Sequence, residues 1–179
     1  MNILLHICCA NCAIYPVKIL REQNHQVTGF FFNPNIHPYQ EFKRRLDTVR
    51  DYAERTELPM AYRDDYLLEE FLAQTAAAPG HRCGYCYHLR MEETARFAAG
   101  NGFEGFSTSL LYSRFQNHET IREYGQALGQ RYGLVFHYQD FRAGWKEGID
   151  TSKAMGLYRQ QYCGCIYSEK DRYHPRSSN

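Results

Sequence analysis

"NILLHICCANCAIYPVKILREQNHQVTGFFFNP", residues 2–34, sets a short apolar run before a helical segment and a second apolar run after it. Residues 2–8 read as a buried strand, 13–23 as a helix, and 26–34 as a second strand with Gly29 inside it and a turn beginning at Asn33 and Pro34. A strand, a helix and a strand in this order form the repeating unit of a parallel sheet. The first strand ends in two adjacent cysteines, Cys8 and Cys9, with Cys12 three residues on.

The same alternation continues outward. Phe42, Leu46, Val49 and Ala53 recur at helical spacing and predict a helix over about 39–56. Residues 58–64 read as a short third strand, 66–78 as a helix stopped by Pro79 and Gly80, and 84–100 as another helix. A strand over 102–111, a helix over 118–132 and a last strand over 134–140 complete the pattern. The expectation is an α/β fold, a single domain over 1–173 with a mostly parallel sheet and helices on both faces. The tail 174–179 reads as disordered. In such a fold the loops after the strand carboxyl ends share one edge, where ligands bind. Cys8, Cys9 and Cys12 follow the first strand, "NPNIHPYQ" the second and "SLLYSRFQNH" the fourth.

The chain has 179 residues, 44% of them hydrophobic, with seven cysteines and a formal net charge of +1. No run is long and apolar enough for a membrane span, and the start lacks a secretory pattern, so a cytoplasmic location is expected. Cytosolic thiols stay reduced, which turns attention from disulfides to metal or redox chemistry. The thiols fall in three clusters: Cys8, Cys9 and Cys12; Cys83 and Cys86 in "HRCGYC"; Cys163 and Cys165 in "QYCGC". A lone cysteine is most simply a small buried hydrophobe, but three tight clusters point to a site. Four thiolates suit a structural zinc, and CxxC is a common half of one. They equally suit an iron–sulfur cluster, which leaves surplus thiols for redox work and is the favoured alternative.

Five segments give the chain a wider resemblance: "HICCANC", "GFFFNPNIHPYQEFKRRL", "RCGYCYHLRMEETA", "FSTSLLYSRFQNHE" and "GLYRQQYCGCIYS". Along nearly its whole length the chain resembles the QueH family of cobalamin-independent epoxyqueuosine reductases. The resemblance implies a sheet like that of the adenine-nucleotide hydrolases, a 4Fe-4S cluster and an external electron donor. It also implies reduction of epoxyqueuosine to queuosine at the wobble position of tRNAs with a GUN anticodon. On the resemblance and the paired motifs together, Cys8, Cys9, Cys83 and Cys86 are expected to hold the cluster. Cys163 and Cys165 are expected to form a second redox unit, either as a disulfide pair or, with Cys12, as ligands of an additional iron.

Among proton donors, His37 on the second strand-end loop is the preferred candidate, with Tyr112 and His118 sharing its logic. His6 reads as a hydrogen-bonded core histidine. Bulk charge gives no RNA signal, but residues 152–179 carry five cations against two carboxylates, and Arg82, Arg90 and Arg159 flank the cysteines as expected phosphate contacts. The basic run 43–45 shares its helix with Asp47, Asp51 and Glu54 and reads as a solvated face. Tyr85, Tyr87, Tyr158 and Tyr162 are candidates to stack on anticodon bases. An ATP-dependent tRNA sulfur transferase would need a Gly/Ser-rich phosphate loop where this chain has "CCANCA". A non-catalytic zinc-stabilised RNA-binding module would leave most of the thiols unexplained.

Overall fold

A computed structural model describes residues 1–174. It contains β1 (Asn2–His6), α1 (Ala10–Glu22), β2 (Gln26–Phe32), α2 (Tyr39–Arg55), β3 (Met60–Arg63), α3 (Leu68–Thr75) and α4 (Arg82–Gly100). After these come β4 (Gly105–Thr108), α5 (His118–Tyr132), β5 (Val135–Phe136), α6 (Trp145–Ala154) and α7 (Ile166–Tyr173). Of the expected tail, all but His174 lies outside the described residues.

The five strands run parallel in the order β3-β2-β1-β4-β5. Strand β1 is central, and Ile3, Leu4 and Leu5 are all 0% exposed, as a strand covered on both faces requires. Helix α1 packs with α2 and α6, while α4 packs with α5 and lies against β1, β2 and β4. The chain leaves β1 toward β2 on one side, and β4 occupies the other. The crevice beyond the carboxyl ends of β1 and β4 is therefore the topological switch point of the sheet.

Four elements differ from the expectation. The fourth strand stops at Thr108, whose hydroxyl accepts from Leu110 N at 3.2 Å and turns the chain into a 3-10 turn over Ser109–Tyr112. The fifth strand is only two residues long. Helices α6 and α7 were not expected as helices.

Candidate functional site

The first thiol group sits in the switch-point crevice. The Sγ atoms of Cys8, Cys9 and Cys12 all lie within 4.8 Å of one another. Cys9 is the N-cap of α1 and Cys12 lies in its first turn; burial pushes the Cys9 thiol up, and the hydrogen bonds with Cys8 and Cys9 raise Cys12. Ser109, just after β4, reaches across: its hydroxyl accepts from Cys8 N at 3.2 Å and lies 3.5 Å from Cys8 Sγ. Hydrogen bonds from Cys12, Cys9 and Ser109 hold the Cys8 thiol well below its ordinary range despite burial. Gln160, which the sequence reading did not single out, donates to Cys9 Sγ at 2.9 Å and to Cys12 Sγ at 3.5 Å. Its carbonyl is fixed by Asn11 Nδ2 at 2.9 Å.

The second group joins the other two motifs. Cys83 and Cys86 lie at the start of α4, and Cys165 is the N-cap of α7. Cys86 and Cys165, each 8% exposed, share a buried cluster with Phe71, against which Tyr85 and Tyr167 pack. Cys83 and Cys163 are exposed. Burial pushes the Cys86 thiol up to about 12, against the pull of Arg90. The segment carrying Cys163 and Cys165 is held from beneath by Arg45, which the sequence reading placed on a solvated face. Arg45 is 1% exposed, pairs with Glu41 Oε1 at 2.7 Å, and donates to the carbonyls of Cys163 and Tyr162 at 2.8 and 2.9 Å.

Between the two groups lies a cavity of about 280 Å³ whose lining includes Cys8, Cys12, Cys163, Ser109 and Arg90. Arg90 corrects its expected role: at 1% exposure it cannot meet an RNA backbone on the surface. Its Nε donates to Cys86 O at 3.1 Å, and its Nη2 is buried without a partner. The nearby acid Glu93 is already taken, with Arg63 at Oε1 and Arg96 at both oxygens. Burial disfavours the charge on Arg90, and Cys86, Cys163 and Cys8 favour it. Arg82 is engaged as well, paired with Asp171 at 2.6 Å and lying 5.4 Å over the Tyr167 ring. Arg159 is exposed.

The expected proton donor His37 is likewise corrected. It is 1% exposed, its Nε2 donates to Pro34 O at 3.1 Å, and its Nδ1 accepts from Ile166 N at 3.4 Å. With both nitrogens occupied and its ring packed by Phe71 and Tyr66, it braces the cysteine segment instead of facing the cavity. Its backbone N–H donates to Gly164 O at 2.8 Å, and its carbonyl accepts from the Tyr162 hydroxyl. His6 is a core histidine, bonded to Thr108 Oγ1 and Phe32 O at 3.1 Å each. Tyr112 donates to Trp145 O at 2.9 Å, and His118 donates to Ser113 O at 3.2 Å.

The family model described as "Epoxyqueuosine reductase QueH" matches residues 3–171. The chain belongs to the QueH family. It is 37% identical over 172 residues to an epoxyqueuosine reductase QueH of Dehalococcoides mccartyi, covering 96% of this chain and 94% of that protein. It is 34% identical to the Thermotoga maritima protein of the same name, covering 96% and 92%. Among solved structures, a "predicted subunit of tRNA methyltransferase" from Methanocaldococcus jannaschii is similar at a TM-score of 0.55 and 12% identity, covering 86% of this chain and 75% of that one. That likeness concerns the fold alone.

In this QueH-family chain the donor set fits a soft metal centre. Cys8, Cys9 and Cys12 are placed so that they could hold a metal ion among them. Cys8 is the thiol held below its ordinary range, while burial pushes Cys9, Cys83 and Cys86 up and the hydrogen bonds with Cys8 and Cys9 raise Cys12; a metal ion would favour the deprotonated form of each that it bound. Arg90 Nη2 has no hydrogen-bond partner among the described residues, and the cavity it lines carries three sulfur atoms, those of Cys8, Cys12 and Cys163.

Proposed function

We infer that this chain is an epoxyqueuosine reductase acting on the wobble nucleotide of tRNA with a GUN anticodon, in the cytoplasm. The observation that carries the reading is the thiol-lined cavity with the unpartnered Arg90 in its wall. Epoxide removal consumes two electrons and two protons, releases water and leaves the cyclopentene. A 4Fe-4S cluster held by Cys8, Cys9, Cys83 and Cys86 supplies electrons and Lewis acidity when bound.

The chain's own groups do the rest. Ser109 and Gln160 orient Cys8, Cys9 and Cys12 by hydrogen bonds to sulfur. Arg90 offers Nη2 to the oxygen as it gains negative charge, in a site where a preorganised donor counts for more than in water. Cys163 and Cys165, going from dithiol to disulfide, release two electrons and two protons, which balances the reduction. The second reading, an additional iron held by these two with Cys12, is favoured by Cys12 and Cys163 lining the same cavity. An external reductase then restores the electrons. Arg82 and Arg159 contact the RNA backbone, Arg82 only after giving up its surface pair with Asp171.

The test is anaerobic purification, metal analysis, and incubation with an anticodon stem-loop bearing epoxyqueuosine and a low-potential reductant. The expected result is about four irons and four sulfides per chain, loss of one oxygen from the RNA, and binding that weakens steeply with salt. Zinc without iron or sulfide would indicate the RNA-binding module instead. A stem-loop reduced no better than the free nucleoside would remove the RNA from the reading.

A further inference from the structure

We propose that Phe115 is the stacking platform for the base adjoining the modified nucleotide, an inference that rests on the tRNA reading above. Phe115 is 84% exposed, the most exposed large hydrophobic side chain among the described residues, and it lines the cavity that holds Cys8, Cys12 and Cys163. A single exposed apolar side chain is ordinary; what sets Phe115 apart is its place in the lining of this cavity and the groups that hold its segment.

The ring is not the loose tip of a loop. On one side Phe115 N donates to Ser113 Oγ at 3.2 Å, and Ser113 O is held by His118 Nε2 at 3.2 Å. On the other, the Tyr87 hydroxyl donates to Gln116 Oε1 at 2.7 Å and accepts from Asn117 N at 3.3 Å. Trp145 backs the ring edge-on, with centroids 6.2 Å apart at 80°. Trp145 is itself occupied: Tyr112 stacks on it at 5.2 Å, and the Arg114 guanidinium lies 5.5 Å from its centroid. Phe115 is the aromatic ring of this group left open to a ligand. Its fixed position lowers the ordering cost of binding.

The charge nearby selects the partner. Arg114, next to Phe115 in the chain, and Arg159, next to Gln160 of the cavity wall, are exposed, and neither has an ion pair among the described residues. An open aromatic face beside Arg114, with Arg159 next to the wall of the same cavity, matches a single-stranded nucleotide, with its base on the ring and its phosphates on the arginines. The amide of Gln116, next in the chain, donates to Cys163 Sγ at 3.4 Å, so a base stacked here adjoins the thiols. The cavity takes the modified base, as in enzymes that extrude their target nucleotide, and its neighbour stays on Phe115.

The experiment follows a fluorescein-labelled stem-loop bearing epoxyqueuosine by anisotropy, with the full chain purified anaerobically. Phe115→Leu should weaken binding roughly tenfold, and Phe115→Tyr and Phe115→Trp should retain it, as base stacking on an aromatic ring predicts. A stem-loop made abasic at the platform-side neighbour should bind wild type and Phe115→Leu alike. Equal affinity of wild type and Phe115→Leu for the intact RNA overturns the platform. So does an equal loss on the abasic RNA, or unchanged RNA binding with slower electron delivery by the reductase, which would make this face a protein site. If wild type binds the stem-loop no better than an unrelated hairpin, the tRNA reading itself fails.

Discussion

The Arg45 guanidinium donates to the main-chain carbonyl of Cys163 across 2.8 Å from a position 1% exposed. One buried cation thus fixes the backbone of a segment whose first cysteine is exposed. Arg45→Met would leave Glu41, 7% exposed, with only the Tyr158 hydroxyl, and strip donors from two carbonyls. Breaking a buried pair from one side costs about 3–5 kcal/mol. The denaturation midpoint should fall accordingly, and Arg45→Met with Glu41→Leu should recover part of the loss. An unshifted midpoint in the single variant would mean that Arg45 is dispensable.

Gly164 has φ +150, and a Cβ there would lie 3.1 Å from Asn35 Nδ2 and 3.2 Å from Ile36 Cγ1. An L-residue is strained in that backbone region by about 1–3 kcal/mol, and the neighbours must also give way. Gly156, with φ +66, has open space around it. Gly164→Ala should therefore lower turnover well below that of Gly156→Ala at comparable thermal stability. Equal turnover in the two variants would detach the glycine from the chemistry.

The β1-α1-β2 frame and the thiol motifs were legible because apolar runs and cysteine spacing are local signals. Buried Arg45 and Arg90 were not, since a cation at a helix position normally faces water, and the groups that enclose them, the Tyr162 and Cys163 carbonyls at Arg45 and the cavity lined by Cys8 and Cys163 at Arg90, are remote in sequence. Helix α6 was missed for a different reason. Its buried residues are Gly148 and Ser152, so close packing by small side chains replaces the hydrophobic stripe that marks a helix. No residue of α7 is buried, and it leaves no periodic pattern to read. Gln116 and Gln160 bond to sulfur through folding alone, and His37 kept the look of a loop histidine because nothing local reveals that both its nitrogens are engaged.

Glu93 joins β3 to α4 through Arg63 and keeps Arg96 on its other side. Burial alone would raise its carboxyl, but Arg96 and Arg63 bring it below the ordinary value. A depressed carboxyl stabilises the fold fully above its unfolded pKa and loses that contribution as pH falls through the folded one. Glu93→Gln should therefore lower the urea midpoint at pH 7, and the gap from wild type should close as pH drops below about 4. A gap independent of pH would assign the loss to packing.

The sharpest division among the thiols concerns Cys163 and Cys165. If they work beside the cluster without holding it, Cys163→Ser and Cys165→Ser should keep iron, sulfide and the paramagnetic signal of the reduced cluster while turnover collapses. Serine preserves size and polarity but forms no disulfide and is a poor ligand for a soft metal. Cys83→Ala and Cys86→Ala should lose the cluster, and Cys12→Ser should be the mildest of the series. The geometry makes the contest real, because Cys86 and Cys165 already pack in one buried cluster and Cys8 and Cys12 share the cavity with Cys163. If both serine variants of the CGC segment lose iron while a Cys8→Ser or Cys9→Ser variant retains it, the roles are exchanged. The carboxyl-terminal pair are then the ligands, and the reactive element is the double thiol just after β1, where hydrogen bonds from Cys12, Cys9 and Ser109 already hold the Cys8 thiol low.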